Sequence, residues 1–133
     1  MKYLLDTDTC IYALKHNVHV RAAISSHGRA DIGVSVVSEA ELRTGVAKSE
    51  APVKTLRLLE SFLAPLEVIE FSSGDAIAYA NVRAKLELMG KPIGPLDTLI
   101  AGQAVARRLI LVTNNRREFG RVPRLVVENW LAK

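Results

Sequence analysis

Lys2-Tyr3-Leu4-Leu5-Asp6 sets three consecutive apolar residues ahead of an aspartate close to the start of the chain. A continuous apolar run suits a parallel strand covered on both faces, since neither side of such a strand meets water. Asp6 then falls at the carboxyl end of the strand. A carboxylate in that position must be solvated in a cleft, hydrogen-bonded or bound to a cation. Asp8 or Thr9 is expected to cap a short helix running to Leu14.

Working outward, strands alternate with helices. Residues 32–37 have the β-branched content of a second strand. Ser38 is read as the start of a helix with Gly45 near its end, and Pro52 fits the first turn of the next, where Leu56, Leu59, Phe62 and Leu63 recur at helical spacing. Residues 68–71 form a third strand candidate. A longer helix follows with Ala78, Val82, Leu86 and Met89 on one face and Gly90 as its stop. After the loop Gly90-Lys-Pro-Ile-Gly-Pro95, Leu96, Leu99, Ile100 and Ala104 give another apolar stripe. Leu109-Ile-Leu-Val-Thr113 is the clearest strand, and residues 125–127 supply a short last one. Alternation of this kind implies βαβ units: an α/β fold with a mainly parallel sheet and helices on both faces.

The 133 residues suit one domain spanning 1–133, with 49% apolar and 24% charged side chains in ordinary globular balance. No stretch reaches the roughly 20 apolar residues of a membrane span, and no basic start with a long apolar run marks a secretory signal, so a soluble cytoplasmic protein is expected. Cys10 has no second cysteine to pair with and reads as a small core residue. The net charge of +4 is unevenly distributed. Seven basic residues (Arg107, Arg108, Arg116, Arg117, Arg121, Arg124, Lys133) face only Glu118 and Glu128 in the last fifth of the chain. Such a strip holds phosphates or is a solvated face.

In an open parallel sheet, ligands bind beyond the carboxyl ends of the strands, near a switch in strand order. Asp6, Glu41 in the helix after the second strand, Asp97 at the start of a later helix, and Asn115 just beyond Thr113 all belong to that rim. Each has a structural alternative. Ser38-Glu-Ala-Glu41 matches capping-box spacing, the helix dipole favours Asp97 whatever its role, and Asp8 and Asp75 read as acids at helix starts. Glu39 lies about 200° around a helix from Glu41, so only one of the two faces the cleft. Carboxylates sharing one cleft repel unless a cation offsets them. Oxygen donors without a His or Cys cluster point to Mg²⁺ or Mn²⁺, because His16, His19 and His27 fall in or near a polar loop and read as surface residues.

Four segments together resemble the PIN-domain family, and within it the VapC-type toxins of bacterial toxin–antitoxin modules. They are Leu4-Leu-Asp6-Thr-Asp8-Thr, Glu41-Leu-Arg-Thr-Gly45, Gly94-Pro-Leu-Asp97-Thr-Leu-Ile-Ala101 and Val112-Thr-Asn-Asn115-Arg-Arg-Glu-Phe119. The resemblance implies a three-layer α/β/α PIN domain and divalent-metal endoribonuclease activity. It further implies a cognate VapB-type antitoxin, a toxin homodimer, and structured RNA, tRNA among it, as substrate. Asp6 and Asp97 match the family's principal metal ligands and Glu41 its second-helix acid, in preference to Glu39. Asn115 stands where the family often has a fourth acid, and Glu118 compensates only if its helix turn faces inward. Thr7 and Thr113 match hydroxyls that support the ligands.

The implied chemistry is hydrolysis of an RNA phosphodiester. Asp6 and Asp97 hold the metal, Glu41 binds it or orients the water, and Asn115 assists. Arg107, Arg108, Arg116 and Arg117 are the candidates to grip the RNA backbone. Two other classes compete. A PIN-like fold lacking the fourth acid binds RNA or a partner without cutting. A phosphoacceptor receiver domain also gathers acids around Mg²⁺, but it needs an aspartate ending its third strand, where this chain runs into Ser72-Ser-Gly.

Overall fold

A computed structural model describes residues 1–131, so Lys133 of the basic strip lies outside the described residues. Five strands, β1 (Tyr3–Leu5), β2 (Ile32–Ser35), β3 (Glu67–Ile69), β4 (Ile110–Val112) and β5 (Val127–Glu128), form one sheet in the order β3-β2-β1-β4-β5. Every pairing is parallel, with Leu5 opposite Val34 on one side and Val112 on the other. The chain winds outward from β1 to β3, then crosses back to β4. The switch in strand order therefore lies between β1 and β4, where Asp6 N–H donates to the Val112 carbonyl over 3.0 Å. This 3-2-1-4-5 order also removes the receiver reading, whose sheet runs 2-1-3-4-5.

The strands are short, and the central β1 and its neighbour β2 are buried on both faces. Tyr3 and Leu5 enter one apolar cluster and Leu4 the other, as the alternation of a strand requires. Burying a leucine such as Leu4 or Leu5 contributes about 1.5–3 kcal/mol. The first cluster lies beneath α1 (Thr7–Leu14), α2 (Val18–His27), α3 (Val36–Ala47) and α4 (Pro52–Leu63), and Cys10 is fully buried within it. The second lies beneath α5 (Ser73–Leu88), α6 (Pro95–Arg107) and the four-residue α7 (Arg116–Phe119). The expected three-layer α/β/α architecture is the one observed.

Helices α5 and α6 pack with little space between their backbones. A Cβ added at Gly102 would stand 2.6 Å from the Cα of Tyr79, so only glycine permits this approach. The pair is locked by Asp75, which is 1% exposed. Asp75 closes a capping box with Ser72 and also receives Gln103 at 3.1 Å and Arg107 at 2.9 Å. Burial pushes its carboxyl up, but the Arg107 guanidinium, the Ser72 N–H and Gln103 outweigh that and hold it below the usual range. Among the described residues no helix is long and apolar enough to cross a membrane.

Two local expectations change. The polar loop expected to contain the histidines holds α2, capped by the Asn17 side chain on the N–H groups of His19 and Val20. His27 is not a free surface residue: its ring stacks on Trp130 at 4.5 Å and meets Tyr3 edge-on at 4.8 Å. The second strand also ends at Ser35, which caps α3, so Ser38 does not start that helix. Its capping-box relation to Glu41 disappears because both residues sit inside the helix.

Candidate active site

Four carboxylates from four elements come within electrostatic reach of one another at the carboxyl rim of β1 and β4, since the charges of Asp6, Glu41 and Glu118 all act on Asp97. Asp6 joins β1 directly to α1 with no linker, so it caps the helix itself, its Oδ1 accepting from Thr9 N–H at 2.8 Å. The expected cap at Asp8 or Thr9 is thus displaced onto Asp6. Thr9 instead turns its hydroxyl to the Val112 carbonyl at 3.0 Å, tying α1 to the end of β4. Asp6 is 3% exposed. Burial pushes its carboxyl above the usual range, against hydrogen bonds from Thr113 and Thr9 that lower it.

Glu41 arrives from the second turn of α3. The Thr7 hydroxyl lies 2.6 Å from Glu41 Oε1 and 2.9 Å from Ser38 Oγ. With one proton to give, Thr7 donates to the carboxylate and accepts from Ser38. Ser38 and Glu41 are three residues apart on one helix face, which brings both to Thr7. Glu39 points away and pairs with Arg43 at 2.8 Å on the outer surface, as helical geometry requires.

Asp97 lies in the first turn of α6, after the Gly94 cap and Pro95. It is half-buried, and burial followed by the charges of Asp6, Glu41, Glu118 and Asp8 pushes its carboxyl up to about 6. Glu118 therefore faces the cluster. Asn115 turns it there: its Oδ1 accepts from the Glu118 N–H at 3.3 Å, while its amide donates to Glu118 Oε2 at 3.1 Å. Thr113 is fully buried and its Oγ1 accepts from Asn115 N–H at 2.9 Å, fixing the turn into α7.

Asp8 and Ser38 are the contributors that sequence reasoning assigned elsewhere. Asp8 is exposed and its charge acts on both Asp6 and Asp97; its proximity to Asp6 is legible from their spacing in sequence. The role of Ser38 depends on where α3 begins, which strand length decides.

The described ion pairs join Arg43 to Glu39 and Glu60, Arg83 to Glu87, and Arg107 to Asp75. None neutralises Asp6, Glu41, Asp97 or Glu118. Among the described residues, no three His, Cys, Asp or Glu side chains are already closed into a metal-ligand group. The donors are all oxygens, two of them on acids pushed toward their neutral form by burial and by neighbouring carboxylates, which fits a hard divalent cation.

The basic strip divides. Arg116 and Arg117 are exposed on α7, beside Glu118. Arg107 and Arg108 lie at the far end of α6, about 15 Å along its axis from Asp97. Arg107 is committed to Asp75 and to the Glu70 carbonyl at 2.8 Å. Arg108 is the left-handed residue ending α6 and shares a concavity with Arg124 near the start of β4. Of the four arginines expected to grip RNA, Arg107 and Arg108 therefore lie a helix length from the carboxylates.

A doubly wound sheet with acids that no cation neutralises at its switch point is a place where a ligand can bind beyond the strand ends. The PIN-domain profile matches residues 3–125, and the chain belongs to the PIN-domain family, among its VapC-type ribonucleases. It is 39% identical to the tRNA(fMet)-specific endonuclease VapC of Salmonella typhimurium, over 98% of each chain. It is 40% identical to ribonuclease VapC2 of Rickettsia felis, again over 98% of each. The fold superposes on the DNA-bound VapBC structure from Salmonella typhimurium with a TM-score of 0.94 at 39% identity, covering 98% of each chain. The VapBC-1 structure from nontypeable Haemophilus influenzae gives 0.89 at 28% identity, covering 99% of this chain and all of that one.

Proposed function

We propose that this chain is the toxin of a type II toxin–antitoxin module, a Mg²⁺- or Mn²⁺-dependent endoribonuclease restrained by a cognate VapB-type antitoxin. The observation that carries the reading is the convergence of Asp6, Glu41, Asp97 and Glu118 on one rim with no cationic partner among the described residues. Asp6 and Asp97 would hold the ion, with Glu41 beside them. When bound, it polarises the phosphate and supplies hydroxide at neutral pH.

The chain's own groups do the rest. Glu41, held by Thr7, takes up one orientation from which to bind or direct a water. Asn115 brings no charge but keeps Glu118 turned inward. Arg116 and Arg117 engage the RNA backbone from α7, and Arg107 and Arg108 take no part. Structured RNA, tRNA among it, is the proposed substrate, in line with the name of the Salmonella relative. The VapBC structures support a VapB-type partner. A toxin homodimer in the cytoplasm completes the proposal.

Asn115 in place of a fourth acid favours one second reading, a module that binds RNA or a partner without cutting it. One experiment separates the two. Protein purified free of any partner should cleave RNA with Mg²⁺ or Mn²⁺, stop on chelation, and stop in both Asp6→Asn and Asp97→Asn. RNA binding without cleavage selects the second reading. Cleavage that survives chelator and both substitutions refutes the metal site. End-mapping of cellular RNA after induction, intact chain against Asp6→Asn, identifies the substrate.

A further inference from the structure

A concavity lies between the loop that follows α5 and the segment containing α7, its lining a few residues in sequence from Asp97 and Glu118. It is lined by Met89, Lys91, Arg116, Arg117, Gly120 and Arg121. Four of these six are cations and none is an acid. Three other concavities hold two cations each: Arg21 with Arg29, Lys54 with Arg57, and Arg108 with Arg124. The arginines engaged by carboxylates, Arg43, Arg83 and Arg107, all lie elsewhere.

Each wall of this groove continues along the chain to one of the four acids. Lys91 lies on the loop that ends at Gly94 and opens α6, whose first turn carries Asp97. Arg116 and Arg117 precede Glu118 on α7. Arg121 joins the walls, its Nη1 donating to the Pro92 carbonyl at 3.2 Å. A guanidinium has five N–H donors in a planar fork, so this bond leaves donors that a phosphate can engage in bidentate fashion.

We infer that this groove is the track for the RNA backbone next to the scissile bond, with Lys91 and Arg121 as phosphate-binding residues alongside Arg116 and Arg117. The inference rests on the ribonuclease reading above and names the surface by which that site holds its substrate. The physical reason is a division of charge. The carboxylates repel a polyanion everywhere except where a cation bridges them, so the flanking phosphates need a separate cationic surface. Arg121 also positions, because it fastens the loop before Asp97 to the segment behind Glu118.

The test is binding of a single-stranded RNA oligonucleotide to the full chain in chelator, measured by fluorescence anisotropy from 50 to 300 mM salt. Lys91→Ala and Arg121→Ala should each weaken binding about three- to tenfold and lower the log–log salt slope by about 0.7, one phosphate contact apiece. Lys54→Ala with Arg57→Ala, on α4, should leave the slope unchanged. In cleavage with Mg²⁺ or Mn²⁺, Lys91→Ala should raise KM with kcat held within about twofold. Lys91 is exposed, so its loss does not threaten folding. A wild-type salt slope in both groove variants overturns the inference while the ribonuclease reading stands. Reduced slopes in a chain that never cleaves support the groove and reject the ribonuclease reading. If the variants keep their RNA slope but lose affinity for a co-purified antitoxin, the groove belongs to a protein partner and the inference falls.

Discussion

The Thr7 hydroxyl donates to Glu41 Oε1 across 2.6 Å, joining the first turn of α1 to α3 at the mouth of the carboxylate cleft. Glu41 would otherwise be free to swing on a flexible side chain, away from the charges of Asp6 and Asp97. Thr7→Val removes the donor and keeps the shape. Its expected effect is a fall in kcat of about tenfold and a stability loss of about 1.5–3 kcal/mol, the worth of a hydrogen bond to a charged group. Thr7→Ser should recover most of both. Initial rates and urea midpoints measure the two effects, and a Thr7→Val enzyme with wild-type kcat would make the contact irrelevant to catalysis.

Asp97 gives the site its pH dependence. Its carboxyl is pushed up to about 6, against 3.8 for an ordinary aspartate. For a group raised on folding, the stability contribution is complete below the ordinary value and is lost as pH rises through 6. Metal-free protein should therefore gain about 1–2 kcal/mol at pH 7.5 from Asp97→Asn, allowing for solvent screening of a half-exposed group, and gain nothing below pH 4. Divalent ion must displace the proton, so Mn²⁺ affinity should fall toward tenfold per pH unit below 6. Thermal melts of both proteins across pH, with and without Mn²⁺, check the sign.

Asn115 holds Glu118 through both ends of its amide. Asn115→Ala should destabilise the chain by about 1 kcal/mol as a lost cap and reduce activity by freeing Glu118. Asn115→Asp keeps the capping oxygen but sets a second negative charge against Glu118. The expected result is near-wild-type stability with the pH midpoint for metal binding moved upward. An unmoved midpoint in Asn115→Asp would place residue 115 outside the field of the cluster.

Arg107 is predicted to matter for folding and not for RNA. Its loss leaves Asp75 buried without its cation, which for a buried pair costs about 3–5 kcal/mol; partial exposure of Arg107 sets the expectation near the lower figure. The salt slope of RNA binding should not change. A stable Arg107→Ala chain with a flattened slope would return this residue to the substrate surface.

Much of the fold was legible because burial writes itself into local composition. Residues 3–5 and 110–112 read as strands since each is apolar on both faces, and Pro95 and Gly90 punctuate α6 and α5 as their backbones demand. The helix at Val18–His27 leaves little trace in the sequence because only Val20 and Ile24 are buried in it. Its polar face resembles a loop unless the Asn17 cap is weighted. The start of α3 is not legible locally because the β-branched run continues to Val37, while pairing of the strand ends at Ser35, whose side chain then caps the helix.

From the local pattern alone came the alternation of strands and helices, and from it an acid at the end of the first strand and another in the first turn of α6. Tertiary structure decided what those acids face. The parallel order β3-β2-β1-β4-β5 puts Asp6 at the switch point and brings Glu41, Asp97 and Glu118 around it from separate helices. It also splits the basic strip, turning Arg107 into a clasp for Asp75 while Arg116 and Arg117 stay beside the cleft. Charge can be counted along a chain, but its partners are set by distances through space, and these exist only once the sheet has formed.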